Sequence, residues 1–224
     1  MTSATTPAAT PATTPATTQA TNSATNSAAN SATNSATTTA ATSPSAAERT
    51  APFTGSVFIA TSLDGFIARP DGDVDWLTRR GAEAGETGYE AFIAGVDALV
   101  MGRGTYEKAL TFDSWPYPGL TVLLLSSRAE DGSDARVRVV RDVPGAVAAI
   151  TACGARRVYV DGGRVVQSFL AAGLVQELTI TTVPVLLGRG LRLFGDLDAD
   201  VDLRLRASTV LGGGLVQATY EVAR

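Results

Sequence analysis

An α/β fold of three layers, with a mostly parallel central sheet and an antiparallel carboxyl-terminal edge, is predicted by the order of two kinds of segment. From Ser56 to Gly173, short apolar runs alternate with stretches whose apolar residues recur at helical spacing. Beyond Gly173 the helical spacing stops, and runs rich in Val, Thr and Ile follow one another. Alternation followed by strands alone implies helices on both faces of a parallel sheet and an antiparallel margin. A third observation is where the runs end, because small polar or glycine-rich corners close most of them. In open α/β sheets, ligands sit at the carboxyl ends of the strands.

Taken in order, Ser56-Val57-Phe58-Ile59-Ala60-Thr61 is β-branched and aromatic and predicts a buried strand that stops at Ser62-Leu63-Asp64-Gly65. Phe66-Ile67-Ala68 is a brief extended piece before the Asp71-Gly72-Asp73 turn, and Val74-Asp75-Trp76-Leu77 opens a helix. Tyr89, Phe92, Ile93 and Val96 fall at helical spacing, with Gly95 placed to end that helix. The run from Asp97 to Met101 is a strand, Gly102-Arg103-Gly104-Thr105 a tight turn, and Tyr106 to Leu110 a helix. An aromatic and proline loop from Phe112 to Gly119 precedes the strand Leu120 to Leu125, which stops at Ser126-Ser127-Arg128. Ser127 and Glu130 there fit a helix capping box.

Val137 to Val140 is a short strand, and Pro144 suits the first turn of a helix reaching Ala152. Arg157 to Val160 is a strand ending at Asp161-Gly162-Gly163-Arg164; the next helix carries Val165, Val166, Phe169 and Leu170 on one side and stops at Gly173. Leu174 to Val185 reads as a long strand, Gly188 to Gly195 as a loop, and two strands close the chain around Gly212-Gly213-Gly214.

Composition bounds the chemistry. Residues 1–50 are almost wholly Thr, Ala, Ser, Asn and Pro, with Asn22, Asn26, Asn30 and Asn34 marking a four-residue repeat. Such a segment has no large apolar side chain to offset roughly 1–2 kcal/mol per residue of ordering entropy, so a disordered tail is expected before a folded domain over 51–224. The tail lacks the basic start and apolar stretch of an export signal, and no apolar run is long enough to span a bilayer, which makes the expected location cytoplasmic and the expected membrane contact none. A net charge of -4 argues against nucleic acid as partner. The chain has no His, which excludes a Ser-His-Asp triad and nearly all zinc sites. Cys153 is the single cysteine and, beside Ala149, Ile150 and Ala152, is expected to be a buried small residue. The apolar strands near the carboxyl end are compatible with a homodimer.

Four corners carry the functional reading: Ser62 to Gly65, Gly102 to Thr105, Ser126 to Arg128, and Asp161 to Arg164. If their strands are parallel, all four lie on one rim. Glycines allow close backbone approach, free N–H groups at helix starts favour anions, and Arg103 and Arg128 suit the extra 2′-phosphate that separates NADPH from NADH. The strict dinucleotide fingerprint is absent, because Glu107 stands where its third glycine belongs.

In combination, Thr61-Ser62-Leu63-Asp64-Gly65-Phe66-Ile67-Ala68, Val100 to Glu107, Ser126-Ser127-Arg128, Tyr159-Val160-Asp161-Gly162-Gly163 and Leu187-Gly188-Arg189-Gly190 resemble the dihydrofolate-reductase-like superfamily. The similarity is greatest to the reductase domain of bifunctional riboflavin-biosynthesis deaminase-reductases and their stand-alone relatives, and it runs from Gly55 to Val222. The zinc-binding deaminase pattern is absent. The resemblance implies an NADPH-dependent reductase of a small polar heterocycle, similar to 5-amino-6-(5-phosphoribosylamino)uracil reductase. It assigns Gly102, Arg103, Thr105, Ser126, Ser127, Arg128, Gly162 and Gly163 to the cofactor, and Ala60, Asp64 and Gly65 to the nicotinamide and substrate side. Asp64 is then the candidate catalytic group, orienting substrate or handling a proton, and Arg189 or Arg164 could hold a phosphate arm. The acidic residue that folate-type reductases carry on their first long helix has only Glu83, Glu86 and Glu90 as candidates. The alternatives are a dihydrofolate-type reductase and a nucleotide-binding member of the fold without turnover.

Overall fold

The computed structural model describes residues 52–223; the tail expected to be disordered over 1–50 lies outside the described residues. The chain forms an eight-stranded sheet in the order β5-β4-β3-β6-β1-β7-β10-β9 and a two-stranded sheet of β2 and β8. The strands are β1 (Thr54–Ser62), β2 (Phe66–Ala68), β3 (Ala98–Gly102), β4 (Thr121–Leu125), β5 (Val137–Val140), β6 (Arg157–Asp161), β7 (Glu177–Val183), β8 (Leu191–Arg192), β9 (Leu203–Val210) and β10 (Val216–Val222). The helices are α1 (Asp75–Gly81), α2 (Tyr89–Ala94), α3 (Arg103–Ala109), α4 (Val143–Ala152) and α5 (Gly163–Ala171), with a 3-10 turn at Gly212–Gly214. From β5 through β7 every neighbouring pair is parallel; β10 runs antiparallel to both β7 and β9. The mostly parallel sheet with an antiparallel margin is therefore as the segment order predicts.

Helices cover both faces. On one, α4 and α5 pack Ala146, Ile150, Val166 and Phe169 against Val57, Val100, Val158 and Leu178. The apolar stripe of α5 predicted from Val165, Val166, Phe169 and Leu170 is buried throughout, each side chain adding roughly 1.5–3 kcal/mol of transfer free energy. On the other face Leu99, Met101, Val122 and Tyr159 meet Phe58, Tyr89 and Phe92. The third layer continues at α1, where Trp76 packs with Val183 and Leu215.

Local chemistry places the ends. Asp142 caps α4 by accepting from Gly145 N at 2.7 Å, with Pro144 in the first turn. Asp97 accepts from the backbone N–H groups of Arg156 and Arg157, both at 2.8 Å, and so fixes the start of β3 beside that of β6. Gly173, with a φ of 68°, stops α5 as expected.

Several expectations need correction. The long strand read from Leu174 to Val185 is confined to Glu177–Val183, since Leu174 N and Gln176 N bond instead to Phe169 O and Gly55 O. The loop from Gly188 to Gly195 contains β8, which pairs with β2 at Phe66↔Arg192. Cys153 is exposed rather than buried: it ends α4, and its Sγ donates to the Ile150 carbonyl. Among the described residues no helix is long and apolar enough to cross a membrane.

Candidate functional site: a rim of four corners beside an apolar cleft

The strands bearing the four corners, β4, β3, β6 and β1, are consecutive in the sheet and parallel. Their carboxyl ends thus form one rim, on which Ser126, Gly102, Asp161 and Ser62 follow in spatial order. Register makes neighbours of the central corners, since Gly102 pairs with Leu125 on β4 and Met101 with Asp161 on β6.

The Gly102 corner is tighter than the sequence suggests. No loop separates β3 from α3; Gly102 is extended, with φ -85° and ψ 169°, and Arg103 already begins the helix. Neither Gly102 nor Gly104 has positive φ. Gly102 instead eases packing, because a Cβ there would stand 3.3 Å from Val165 Cγ2, which would have to give by a few tenths of an ångström. Thr105, on the first turn of α3, closes against Gly162, whose missing Cβ leaves room for the Thr105 hydroxyl. Arg103 is half exposed and pairs with Glu107 one turn on, at 3.3 Å.

At the next corner Ser126 Oγ accepts from the N–H groups of Arg128 and Ala129, at 3.3 and 3.1 Å. The capping box expected from Ser127 and Glu130 does not form: Ser127 is exposed in a bend, and the segment turns without entering a helix. Arg128 is exposed and makes no ion pair among the described residues. The loop returns to α3 through Tyr106, whose hydroxyl donates to Asp134 at 2.8 Å. Arg136 grips the same carboxylate at 2.7 Å and lies 4.7 Å above the Trp115 ring, holding Asp134 well below the usual carboxylate range.

The third corner contains a group that the sequence reading passed over. Asp161, the last residue of β6, is 9% exposed, and burial pushes its carboxyl up from 3.8 to about 6. Only part of that shift is offset by the Gly162 N–H, which donates to Asp161 Oδ1 at 2.8 Å. Gly162 has a φ of 90°, a conformation that favours glycine. In α5 the Val166 amide reaches back to Gly162 O at 2.9 Å, so the amides of Gly163, Arg164 and Val165 are the free donors of the helix start. Gly163 packs directly on the Arg192 carbonyl of β8, which leaves no space for a side chain.

At the fourth corner, Asp64 is a fastener. Its Oδ1 accepts from Ser62 Oγ at 2.6 Å and Leu187 N at 3.1 Å, and its Oδ2 from Gly188 N at 2.7 Å. The Ser62 hydroxyl first, then the two amides, hold its carboxyl down at about 2. Gly65 turns with a φ of 82°, and its carbonyl accepts from Leu193 N at 3.1 Å. Arg189, on the loop so fastened, is exposed.

Beside the rim lies a cleft of about 280 Å³, walled by Phe58 and Ala60 of β1, Leu77 of α1, Ala84, Tyr89 of α2 and Leu215, among others. Of the sequence-predicted substrate residues, Ala60 lines it; Gly65 and Arg189 do not. Tyr159 forms its floor and donates its hydroxyl to the Phe58 carbonyl at 2.9 Å. Gln217 ties one edge, reaching Thr87 O and Thr181 Oγ1 at 3.0 Å each. Asp161 is the next residue along β6 on the same face as Tyr159, and its carboxylate adds to burial in raising the Tyr89 phenol to about 12. The helix carboxylates considered from sequence are not at the cleft: Glu83, Glu86 and Glu90 are exposed, and none lines it.

A mostly parallel sheet covered on both faces, with an antiparallel margin and polar corners on one rim, defines the dihydrofolate-reductase-like class. The chain belongs to the RibD C-terminal domain family, whose model matches residues 118–217. It is similar to the uncharacterized protein YwjB of Bacillus subtilis (strain 168), with 34% identity over 160 residues covering 70% of this chain and 91% of that protein. A crystal structure from Shewanella sp. PV-4 with a riboflavin-biosynthesis assignment aligns at 38% identity and a TM-score of 0.70, covering 77% of this chain and 100% of that one. Dihydrofolate reductase from Enterococcus faecalis, complexed with NADP(H), shares the fold at 20% identity and a TM-score of 0.57, over 78% of this chain and 98% of that one.

Proposed function

We propose that this chain is an NADPH-dependent reductase that binds the cofactor along the four-corner rim and its small-molecule substrate in the adjacent cleft. The observation that carries the reading is the consecutive parallel order of β4, β3, β6 and β1, which sets two arginine-bearing corners and the free amides of α5 along one edge. These residues fit a pyrophosphate and a 2′-phosphate. The amides of Gly163, Arg164 and Val165 supply donors with the positive end of the helix dipole. Positive φ at Gly162, with no Cβ, lets Thr105 of α3 close against the strand end beside these amides. Arg128 has no competing carboxylate among the described residues, and Arg103 can exchange its exposed, weakly held partner Glu107 for a phosphate.

The cofactor would supply a hydride to an electrophilic carbon of the substrate, and the chain's part is to orient, enclose and manage the accompanying proton. Asp161 is suited to the last task. Buried and poised near 6, it can hold a proton at neutral pH far more readily than Asp64, whose carboxylate stays ionised and occupied by three donors. Asp64 is then a positioning residue that fastens the Leu187–Leu193 loop over the β1–β2 turn. Isothermal titration tests the cofactor assignment. NADPH should bind at least about tenfold more tightly than NADH, and Arg103→Ala with Arg128→Ala should abolish that preference. Equal binding of the two cofactors by the native chain would overturn it.

A further inference from the structure

The cleft's walls define what can enter. None of the residues lining it carries a charge. Most of its polar atoms are already engaged: the Tyr159 hydroxyl by Phe58 O, Thr181 Oγ1 and Thr87 O by Gln217, and Thr87 Oγ1 by the Tyr89 amide. What remains is a set of flat and aliphatic surfaces. Phe58 and Tyr89, backed by Phe92, pack edge to face or tilted with centroids 4.9 to 6.4 Å apart, and Ala60, Leu77 and Leu215 complete the apolar wall.

The charges around the mouth point the same way. The segment from Gly81 to Glu90 supplies Gly81, Ala84, Thr87 and Tyr89 to the cleft and carries Glu83, Glu86 and Glu90 with no basic residue. At the end of α1, Arg79 is held by Asp75 at 2.7 Å, which leaves Arg80 as the only base there without an ion pair among the described residues. Neither Arg164 nor Arg189 lines the cleft. A phosphate entering here would lose hydration without gaining a cation from the walls.

One buried polar atom asks for a ligand. Trp76 is 2% exposed, and its indole Nε1–H has no hydrogen-bond partner among the described residues. It sits in the same cluster as Ala60, Leu77, Ala84 and Leu215, which wall the cleft. Buried donors are nearly always satisfied, so an unpaired indole N–H that lies behind the wall of an apolar cleft, without itself lining it, is a candidate donor to an acceptor brought in from outside the chain once the wall shifts.

We propose that the cleft takes a flat, uncharged ring compound bearing a hydrogen-bond acceptor, and discriminates against the same ring carrying a phosphorylated arm. The proposal rests on the reductase reading for what happens to the ring, but binding itself needs neither cofactor nor turnover.

The test is calorimetric titration of the full chain, without nucleotide, with two matched pairs: uridine against uridine 5′-monophosphate, and 6-hydroxymethylpterin against its phosphate ester. Trp115→Phe protein, in which Trp76 is the sole tryptophan, reports the same titrations by fluorescence and locates the binding. In at least one pair the uncharged member should bind tenfold or more tightly than its phosphorylated partner and change Trp76 emission. Thr87→Arg should narrow that ratio several-fold, whereas Arg80→Ala should leave it unchanged. Equal or tighter binding of the phosphorylated members, or a failure of both uncharged members to bind, would overturn the proposal. A chain that binds the ring but not NADPH would sink the reductase reading while leaving this one standing.

Discussion

The rim and the cleft meet along β1, yet they are built on opposite plans. The rim is made largely of backbone: positive φ at Gly162 and Gly65 and free amides at the start of α5, with two arginines at the neighbouring β4 and β3 corners. The cleft is made of side chains drawn from β1, α1, α2, β6, β7 and β10's approach, with no charge among them. A rim of donors holds an anion of fixed shape, while an apolar cleft of about 280 Å³ selects by fit and by the cost of desolvating whatever enters. Under the proposed function, the contrast would separate the two jobs of a reductase: a shared cofactor on a generic device, and substrate identity left to the walls.

The contrast can be broken most severely at Gly162. In Gly162→Ala the new Cβ would meet the Thr105 hydroxyl at a φ of 90°, so the variant should lose about 2–4 kcal/mol in chemical denaturation and bind NADPH far more weakly. Next in size, Arg103→Ala with Arg128→Ala should weaken NADPH by about ten- to a hundredfold in calorimetry, leaving NADH and cleft ligands unchanged. If cleft ligands weakened equally, the two regions would not be separable.

Asp161 sharpens the boundary, since it ends β6 on the rim and follows Tyr159 of the cleft on the same face of that strand. With a carboxyl raised from 3.8 to about 6, its stabilising share is fully present below 3.8 and is lost as pH rises through about 6. Asp161→Asn keeps an acceptor for the Gly162 amide, so it should match the native chain at pH 4 and exceed it by about 1–3 kcal/mol at pH 8. Reductase turnover should fall in the same variant. Asp64→Asn gives the smallest effect. Amide exchange at Leu187 and Gly188 should quicken, with a modest loss of kcat/KM, because one of the two amides then faces an NH₂ group. The native Asp64 share is present above 3.8 and is lost as pH falls toward about 2.

Much of the rim was legible because each corner is contiguous in the chain. An apolar run followed by Gly102 to Thr105 or Asp161 to Arg164 carries its own signal, and helix–strand alternation alone makes the strands parallel. What the sequence misread was conformation within a corner: Gly104 lies inside α3, and Ser126 rather than Ser127 holds its turn by accepting from the Arg128 and Ala129 amides. The cleft was nearly illegible, because Phe58, Leu77, Tyr89, Tyr159 and Leu215 become neighbours only through tertiary packing. Asp161 was read as a turn residue for the same reason. Its chemistry comes from the central place of β6 in the sheet, and only the run Val158-Tyr159-Val160 leading into it hinted that the carboxylate is buried.

A crystal structure of the full chain with NADPH most directly tests the division of labour. The account predicts phosphates on the amides of Gly163, Arg164 and Val165, the 2′-phosphate between Arg103 and Arg128, and the nicotinamide at the cleft's mouth near Ala60 and Asp161. Density for the cofactor inside the cleft, or with its phosphates away from the α5 start, would contradict it.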